Sequence, residues 1–345
     1  MTPSLNETSP ASESEIESLA RRIDFSPLRG LVVAITGSQG MMGNYLCQVI
    51  MASSRLQGNS PKRLISIGRR ELQPTQAWAM NFKNFEHQII PSTLDAKFPA
   101  SDFFLHLASP ASPNKYDDSA NILSANLGGA IAALSNQNSN ARFLFLSSGE
   151  VYGSGSSSGS RPKPEANLKS VGVRSAYPNA KLSTEFLLDG WSSATKGDAR
   201  IARLFHTFGP GFTPDDGRSF ADIIWAASRG EDISLYSDGA SVRPFAYIED
   251  SIAGVLILLL AEGNSLKSDV GGDFMLSIRQ FADLTASATG VKVQVMDHKK
   301  KGERHEALGD PPTPDTSLLR SLGWSAEVPI SEGIQRTIIR IKNSA

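Results

Sequence analysis

Leu31-Val32-Val33-Ala34-Ile35-Thr36-Gly37-Ser38-Gln39-Gly40-Met41-Met42-Gly43 is the stretch on which the fold of this chain turns. Leu31–Thr36 is a short apolar run, a glycine-rich turn follows, and Met41–Ser53 continues as a helical pattern. The glycines permit a tight turn and let the backbone approach a pyrophosphate. The helix N-terminus behind them offers unpaired N–H groups and a partial positive charge. The spacing is G-x-x-G-x-x-G rather than G-x-G-x-x-G, so the motif alone also fits a plain glycine-rich turn. The strand–turn–helix context favours a dinucleotide site lined by Gly37, Gln39, Gly40, Met41, Met42 and Gly43, with packing as the default for the two methionines.

Outward from this turn, Leu64–Ile67, Phe103–Leu107, Arg142–Leu146 and residues 199–205 read as further short buried strands. Helical stretches separate them, notably Asn121–Asn136 and Ser175–Ser193. Short apolar strands alternating with helices predict an α/β, Rossmann-type doubly wound parallel sheet, with ligands beyond the carboxyl ends of the strands. After Gly209 the elements shorten and mix, which predicts a smaller α+β substrate lobe on the C-terminal side with pieces returning to the core. The chain divides into a flexible leader (1–28), a dinucleotide-binding domain (29–208) and a substrate-binding lobe (209–345). A short helix at Glu13–Arg22 is expected within the leader, loose rather than packed. Residues 153–176 are rich in Ser, Gly and Pro and predict a long mobile loop.

The 345 residues carry 34 Lys+Arg against 35 Asp+Glu, a net charge of -1. That balance argues against a nucleic acid or an anionic membrane as main partner. The single cysteine, Cys47, excludes an internal disulfide framework and a cysteine-rich metal site, and no histidine spacing suits a metal. The longest apolar run, Ile252–Ala261, falls short of the ~18 residues a membrane span needs. No signal peptide is expected, and a cytoplasmic location fits.

Two further motifs carry chemistry. Tyr177 and Lys181 in Tyr177-Pro178-Asn179-Ala180-Lys181 lie one helical turn apart and share a face. A cation there is expected to lower the tyrosine pKa from its reference of about 10, so that the phenol can take a proton from a hydroxyl while hydride leaves the same carbon. Ser147-Ser148-Gly149-Glu150 follows the strand ending at Leu146. Ser148 is placed to bond a reacting oxygen, whereas Ser147 reads as a turn residue. Glu150 is the one carboxylate there, either catalytic or a solvated loop acid or ion-pair partner. His106 reads as structural.

Together the three motifs resemble the extended short-chain dehydrogenase/reductase superfamily, in its nucleotide-sugar epimerase/dehydratase branch and closest to the UDP-glucuronate decarboxylases. The resemblance runs from about residue 30 to 342. Phe104–Pro113 is similar to the family's segment along the nicotinamide, which implies cofactor contacts at Leu107, Ala108 and Ser109 and substrate contacts at Ser109 and Pro110. Asn126 stands where the family has a buried asparagine. Arg174 lies in the approach to the tyrosine, and His206 leads into the substrate lobe. Arg218 and Arg243 fall in segments that hold the nucleotide diphosphate. The resemblance implies a bound nicotinamide cofactor that takes hydride from C4 of the sugar and returns it. Tyr177 would be the base, with Ser148 and Lys181 assisting and Glu150 serving the C5 side. Decarboxylation ranks first, 4,6-dehydration second and 4-epimerisation third; a non-catalytic NAD(P)-binding module is the alternative of another class. A homodimer through Asn121–Asn136 and Ser175–Ser193 is also implied.

Three departures stand out. Gly149 replaces the side chain that separates decarboxylases from dehydratases. His206 stands where the family has asparagine. The second strand ends Gly68-Arg69-Arg70, without the aspartate that pairs with the adenosine ribose. On that local chemistry Arg69 or Arg70 could clamp a 2′-phosphate, which favours NADP, while the resemblance favours NAD.

Overall fold

The computed structural model describes residues 13–72, 76, 78–79, 82–92, 96–113, 116, 118–153, 176–296 and 313–344. Arg174 and most of the expected 153–176 loop lie outside the described residues, as do residues 1–12 and the lysine run 299–301.

The apolar runs become strands buried on both faces. β1 (Val32–Thr36), β2 (Arg63–Gly68), β3 (Phe85–Ile89), β4 (Phe103–His106), β5 (Arg142–Ser148) and β6 (Asp198–Leu204) follow in sequence. The chain then leaves the sheet through β7 (Thr207–Phe208), β8 (Ile233–Leu235) and β9 (Val242–Tyr247), and β10 (Lys267–Val270) returns to it. β11 (Phe274–Ser277) and β12 (Val293–Val295) lie outside the main sheet. Among the described residues the main sheet has seven strands, ordered β3-β2-β1-β4-β5-β6-β10. Every neighbouring pair in it is parallel. Strand order reverses between β1 and β4, which opens a crevice at their carboxyl ends. β3 was not expected. It is the sheet edge, and Glu86, His87 and Gln88 give it no continuous apolar run.

The helices are α1 (Glu13–Arg22), α2 (Met41–Gln57), α3 (Ser119–Leu123), α4 (Gly129–Leu134), α5 (Ala176–Ala194), α6 (Ser219–Ser228), α7 (Ile248–Leu260), α8 (Ile278–Thr289), α9 (Ser317–Ser321) and α10 (Ile330–Ser344). The helix expected over Asn121–Asn136 is interrupted by a π-helical turn, Ser124–Gly128, between α3 and α4. None of the helices among the described residues is long and apolar enough to cross a membrane.

The leader differs from expectation. Its helix forms, but it is packed rather than loose. Ile16, Leu19, Ala20, Phe25 and Leu28 are fully buried. Gln57 of α2 donates to the carbonyls of Ala20 and Ile23 at 2.6 and 2.9 Å, capping α1 from the neighbouring helix. The Glu15 carboxylate, also buried, accepts from the Tyr247 hydroxyl at 2.7 Å and from Arg336 at 3.0 Å. Apolar burial and a paired buried charge together hold the segment against α2, α7 and α10.

Candidate active site

The glycine turn is shaped by what a side chain would hit. Gly37 has φ +69°, and a Cβ there would lie 2.8 Å from the Ala108 backbone nitrogen. A Cβ on Gly43 would run into the Gly37 carbonyl and lie 2.7 Å from the Ser38 Cα. The turn therefore presses against the chain leaving β4, and α2 starts at Gly40 with no side-chain cap on its first N–H groups. Met42 is buried and Met41 half-buried behind the turn.

Thr36 and His106 tie the two sides of the crevice together. Thr36 Oγ1 accepts from the backbone N–H groups of Leu107 and Ala108, both at 3.2 Å, and donates to His106 Nδ1 at 2.8 Å. His106 Nε2 faces the carbonyls of Ala125 and Asn126 at 3.0 and 3.1 Å. Carbonyls only accept, so Nε2 carries the proton and the ring is neutral. Burial, then the Lys181 charge, pushes its pKa down to about 4. His106 is thus a structural link, as its place at a strand end suggested. The π-helical turn is what brings both carbonyls to it. Asn126 donates to the Ile122 carbonyl at 2.8 Å, while its Oδ1 and the Ser109 hydroxyl are buried without a hydrogen-bond partner. Two orphaned buried polar atoms, one past the end of β4 and one in the π-helical turn, leave acceptor and donor capacity that a polar ligand such as a dinucleotide would use.

At the reacting end, Tyr177 and Lys181 sit on the first turns of α5, both buried. Lys181 Nζ donates to the Leu146 carbonyl at 2.6 Å and lies 5.6 Å from the Tyr177 ring centre. Burial lowers the lysine to about 7, against the raising charges of Glu185 and Glu150. Tyr177 differs from expectation. Its pKa is raised, first by burial and then by the Glu150 charge, while a hydrogen bond with Ser148 pulls it down. Desolvation outweighs the expected effect of the neighbouring lysine. Ser147 is not a turn residue. It lies within β5 and donates to Glu185 at 2.5 Å, below the reacting groups. The space above Gly149 is filled by the Phe205 ring, with a built Cβ 2.6 Å from it.

Glu150 opens onto the cleft, and the surrounding protein still raises its pKa through burial. Its carboxylate accepts from the Tyr116 hydroxyl at 3.1 Å. Tyr116 also stacks on Tyr177, with ring centres 4.9 Å apart and planes 13° from parallel. Tyr116 is the functional candidate that the sequence reading missed. It lies in a loop, and no spacing marks it.

His206, Arg218 and Arg243 converge beyond this cluster. Burial, then the charges of Arg243 and Arg218, pushes the His206 pKa down to about 3, so the ring is neutral. Arg218 is held by both oxygens of Asp216 and lies over the Phe220 ring. Its charge acts on Tyr116, Glu150 and Tyr177 as well as on His206.

At the far end, Arg69 and Arg70 are exposed past β2. Gln39 does not point along the turn. Its Nε2 donates to the carbonyls of Arg70 and Glu71 at 3.0 and 2.7 Å.

The NAD dependent epimerase/dehydratase family model matches residues 33–270. A UDP-glucuronic acid decarboxylase 1 of Xenopus tropicalis is 27% identical over 313 residues, 89% of this chain and 71% of the relative. A UDP-glucuronic acid decarboxylase 2 of Arabidopsis thaliana is 29% identical over 322 residues, covering 89% and 67%. The fold matches that of a UDP-glucuronic acid 4-epimerase from Bacillus cereus, solved with UDP-glucuronic acid and NAD, at a TM-score of 0.69 and 21% identity over 90% of this chain and 99% of that one.

Proposed function

Because the chain belongs to the NAD dependent epimerase/dehydratase family, we propose that it decarboxylates a nucleotide sugar, UDP-glucuronate, through a 4-keto intermediate. One observation carries the nucleotide-sugar reading: Arg218 acts electrostatically both on His206 and on the Tyr116–Glu150–Tyr177 cluster. An anion site of two arginines and a neutral histidine therefore adjoins the proton-transfer groups, as a sugar diphosphate requires. The kinship with UDP-glucuronic acid decarboxylases supports the reaction.

The residues fit a nicotinamide dinucleotide: Gly37, Gly40 and Gly43 would hold its pyrophosphate against the backbone, and Ser109 and Asn126 carry unpartnered polar atoms that could bond it. When bound, that group would supply reversible hydride chemistry at C4 of the sugar. Tyr177 takes the 4-hydroxyl proton, with Ser148 bonded to the same oxygen. Lys181, one helical turn on and with its ammonium 5.6 Å from the Tyr177 ring centre, is a cation beside the phenol and favours its ionised form. The 4-keto sugar is a β-keto acid. Its C5–C6 bond breaks, carbon dioxide leaves, and the electron pair rests on the 4-oxygen beside Tyr177 and Ser148. Glu150, whose pKa is raised, delivers a proton to C5. Tyr177 then returns its proton to the 4-oxygen as C4 is reduced. Arg243 and His206 hold the diphosphate, and Arg218 sits between it and the sugar. A 4-epimerase has no use for a proton donor at C5, so Glu150 favours the decarboxylase.

Incubation of the purified protein with UDP-glucuronate, UDP-glucose and dTDP-glucose, with products read by mass spectrometry, tests this. The expected result is loss of one carbon dioxide from UDP-glucuronate alone. Loss of water from a neutral sugar, or a product of unchanged mass, would overturn the decarboxylase reading.

The assembly belongs to the same proposal. Leu123, Ile131 and Phe186 are exposed on α3, α4 and α5. Such an apolar stripe suits a homodimer interface, and light scattering at micromolar concentration should give twice the chain mass.

A further inference from the structure

Gly68, the last residue of β2, carries no acid to read a ribose, and the structure shows what fills that space. A Cβ built on Gly68 would meet Oε1 of Gln39 well inside contact distance, with the amide carbon 2.7 Å away. The distance to the oxygen, not the carbon, is close to the two-bond reach from Cβ to a carboxylate oxygen in an aspartate side chain. The orientation of the amide is fixed by its partners. Nε2 faces two carbonyls, which only accept, so Oε1 must face the strand end. The carbonyl of Arg70 is fixed a second time by His87 Nε2 at 2.8 Å. His87 Nδ1 bonds the Ser66 hydroxyl at 3.0 Å, and that hydroxyl bonds Ser38 at 2.7 Å. The loop after β2 and the glycine turn are therefore locked together, with the Gln39 carbonyl oxygen in the space that a side chain on residue 68 would enter.

We propose that Gln39, working across the space left by Gly68, is the residue that reads the adenosine ribose, as a neutral acceptor in place of the missing acid. This rests on the dinucleotide reading above and deepens it. A carboxylate at this position accepts from the ribose hydroxyls and repels a 2′-phosphate. An amide oxygen accepts one hydroxyl bond without the repulsion, and Arg69 and Arg70 stand at the same strand end with charge complementary to a phosphate. The site therefore takes NADP at least as tightly as NAD. Gln39 and Gly68 act as a pair, because an aspartate at 68 and a glutamine at 39 compete for one volume.

Calorimetric titration of cofactor-stripped protein with NAD and with NADP tests the pair, with thermal unfolding run on every variant. Gln39→Ala should weaken both cofactors about fivefold, the loss of one hydrogen bond. Gly68→Asp alone should bind NAD worse than the Gln39→Ala/Gly68→Asp double variant, which should recover NAD and lose NADP by about 100-fold through repulsion of the 2′-phosphate. Gln39→Met keeps the side-chain length without the acceptor, and serves if the alanine variant unfolds. A wild type that holds NAD tenfold tighter than NADP overturns the inference. So does a double variant with the wild-type preference. Wild-type protein that binds neither dinucleotide overturns the functional reading itself.

Discussion

The two ends of the cleft are made in different ways. The dinucleotide end is a shape cut into the backbone: Gly37 lies against Ala108, Gly43 against the Gly37 carbonyl, and the first N–H groups of α2 are left uncapped. The reacting end is a meeting of side chains from separate segments. Tyr177 and Lys181 come from α5, Ser148 and Glu150 from the end of β5, Tyr116 from a loop, and Arg218 from the N-terminal end of α6. A backbone cradle is lost when one atom is added. A side-chain cluster degrades by degrees, since each member keeps partners when another is removed. The cradle is thus the brittle half of the site and the reacting end the tunable half.

Gly43→Val should break the brittle half outright. Its added carbons have no space against the Gly37 carbonyl, so dinucleotide affinity should fall by more than about 100-fold, the cost of shifting a backbone turn. Titration against wild type measures it, and binding within threefold of wild type would mean the turn relaxes freely.

The acid response separates the halves by stability. His106 ties the glycine turn to the chain leaving β4 with a pKa of about 4, and His206 stands near Arg243 and Arg218 with a pKa of about 3. Both folded values lie below the unfolded reference of about 6.5. Below that pH the unfolded chain binds protons that the folded chain does not, so stability falls from about pH 6.5 toward 4. His206→Asn should recover on the order of 2 kcal/mol near pH 4.5 relative to the wild-type loss. Chemical denaturation at pH 7 and pH 4.5 reads the difference, and parallel losses in both proteins would show that His206 does not titrate on unfolding.

Within the tunable half, Arg243→Ala should raise KM for the nucleotide sugar about tenfold through loss of charge-assisted bonds to phosphate, with cofactor affinity unchanged. Steady-state kinetics beside cofactor titration separates the two. Tyr116→Phe keeps the stack on Tyr177 and removes only the bond to Glu150. It should lower kcat about fivefold, one hydrogen bond's worth, with little change in KM. A change in KM alone would move Tyr116 from orienting Glu150 to binding substrate.

The same contrast decides what was legible in the sequence. Backbone shape is local, and the glycine turn between a strand and a helix could be read in thirteen consecutive residues. β1, β2, β4, β5 and β6 were legible as apolar runs because both faces of each are covered. β3 was not, because an edge strand with half-exposed Glu86, His87 and Gln88 shows no such run. The π-helical turn at Asn126 breaks no apolar period, so nothing announced it. The α1 helix could be seen, but its docking could not. Its anchors Tyr247 and Arg336 are 232 and 321 residues from Glu15. Tyr177 and Lys181 were legible as a one-turn pair. Tyr116 was hidden because only the fold brings its loop to the tyrosine, and the raised Tyr177 pKa was hidden because burial is a property of the fold.

On the proposed function, holding the dinucleotide and moving the proton are separable tasks at the two ends of one cleft. Tyr177→Phe tests it most directly, with cofactor affinity and formation of the reduced nicotinamide both followed spectroscopically after mixing with UDP-glucuronate. The account predicts cofactor affinity within about twofold of wild type and hydride transfer slowed by at least about 100-fold, the contribution of a positioned general base. Wild-type hydride transfer in the phenylalanine variant would contradict it.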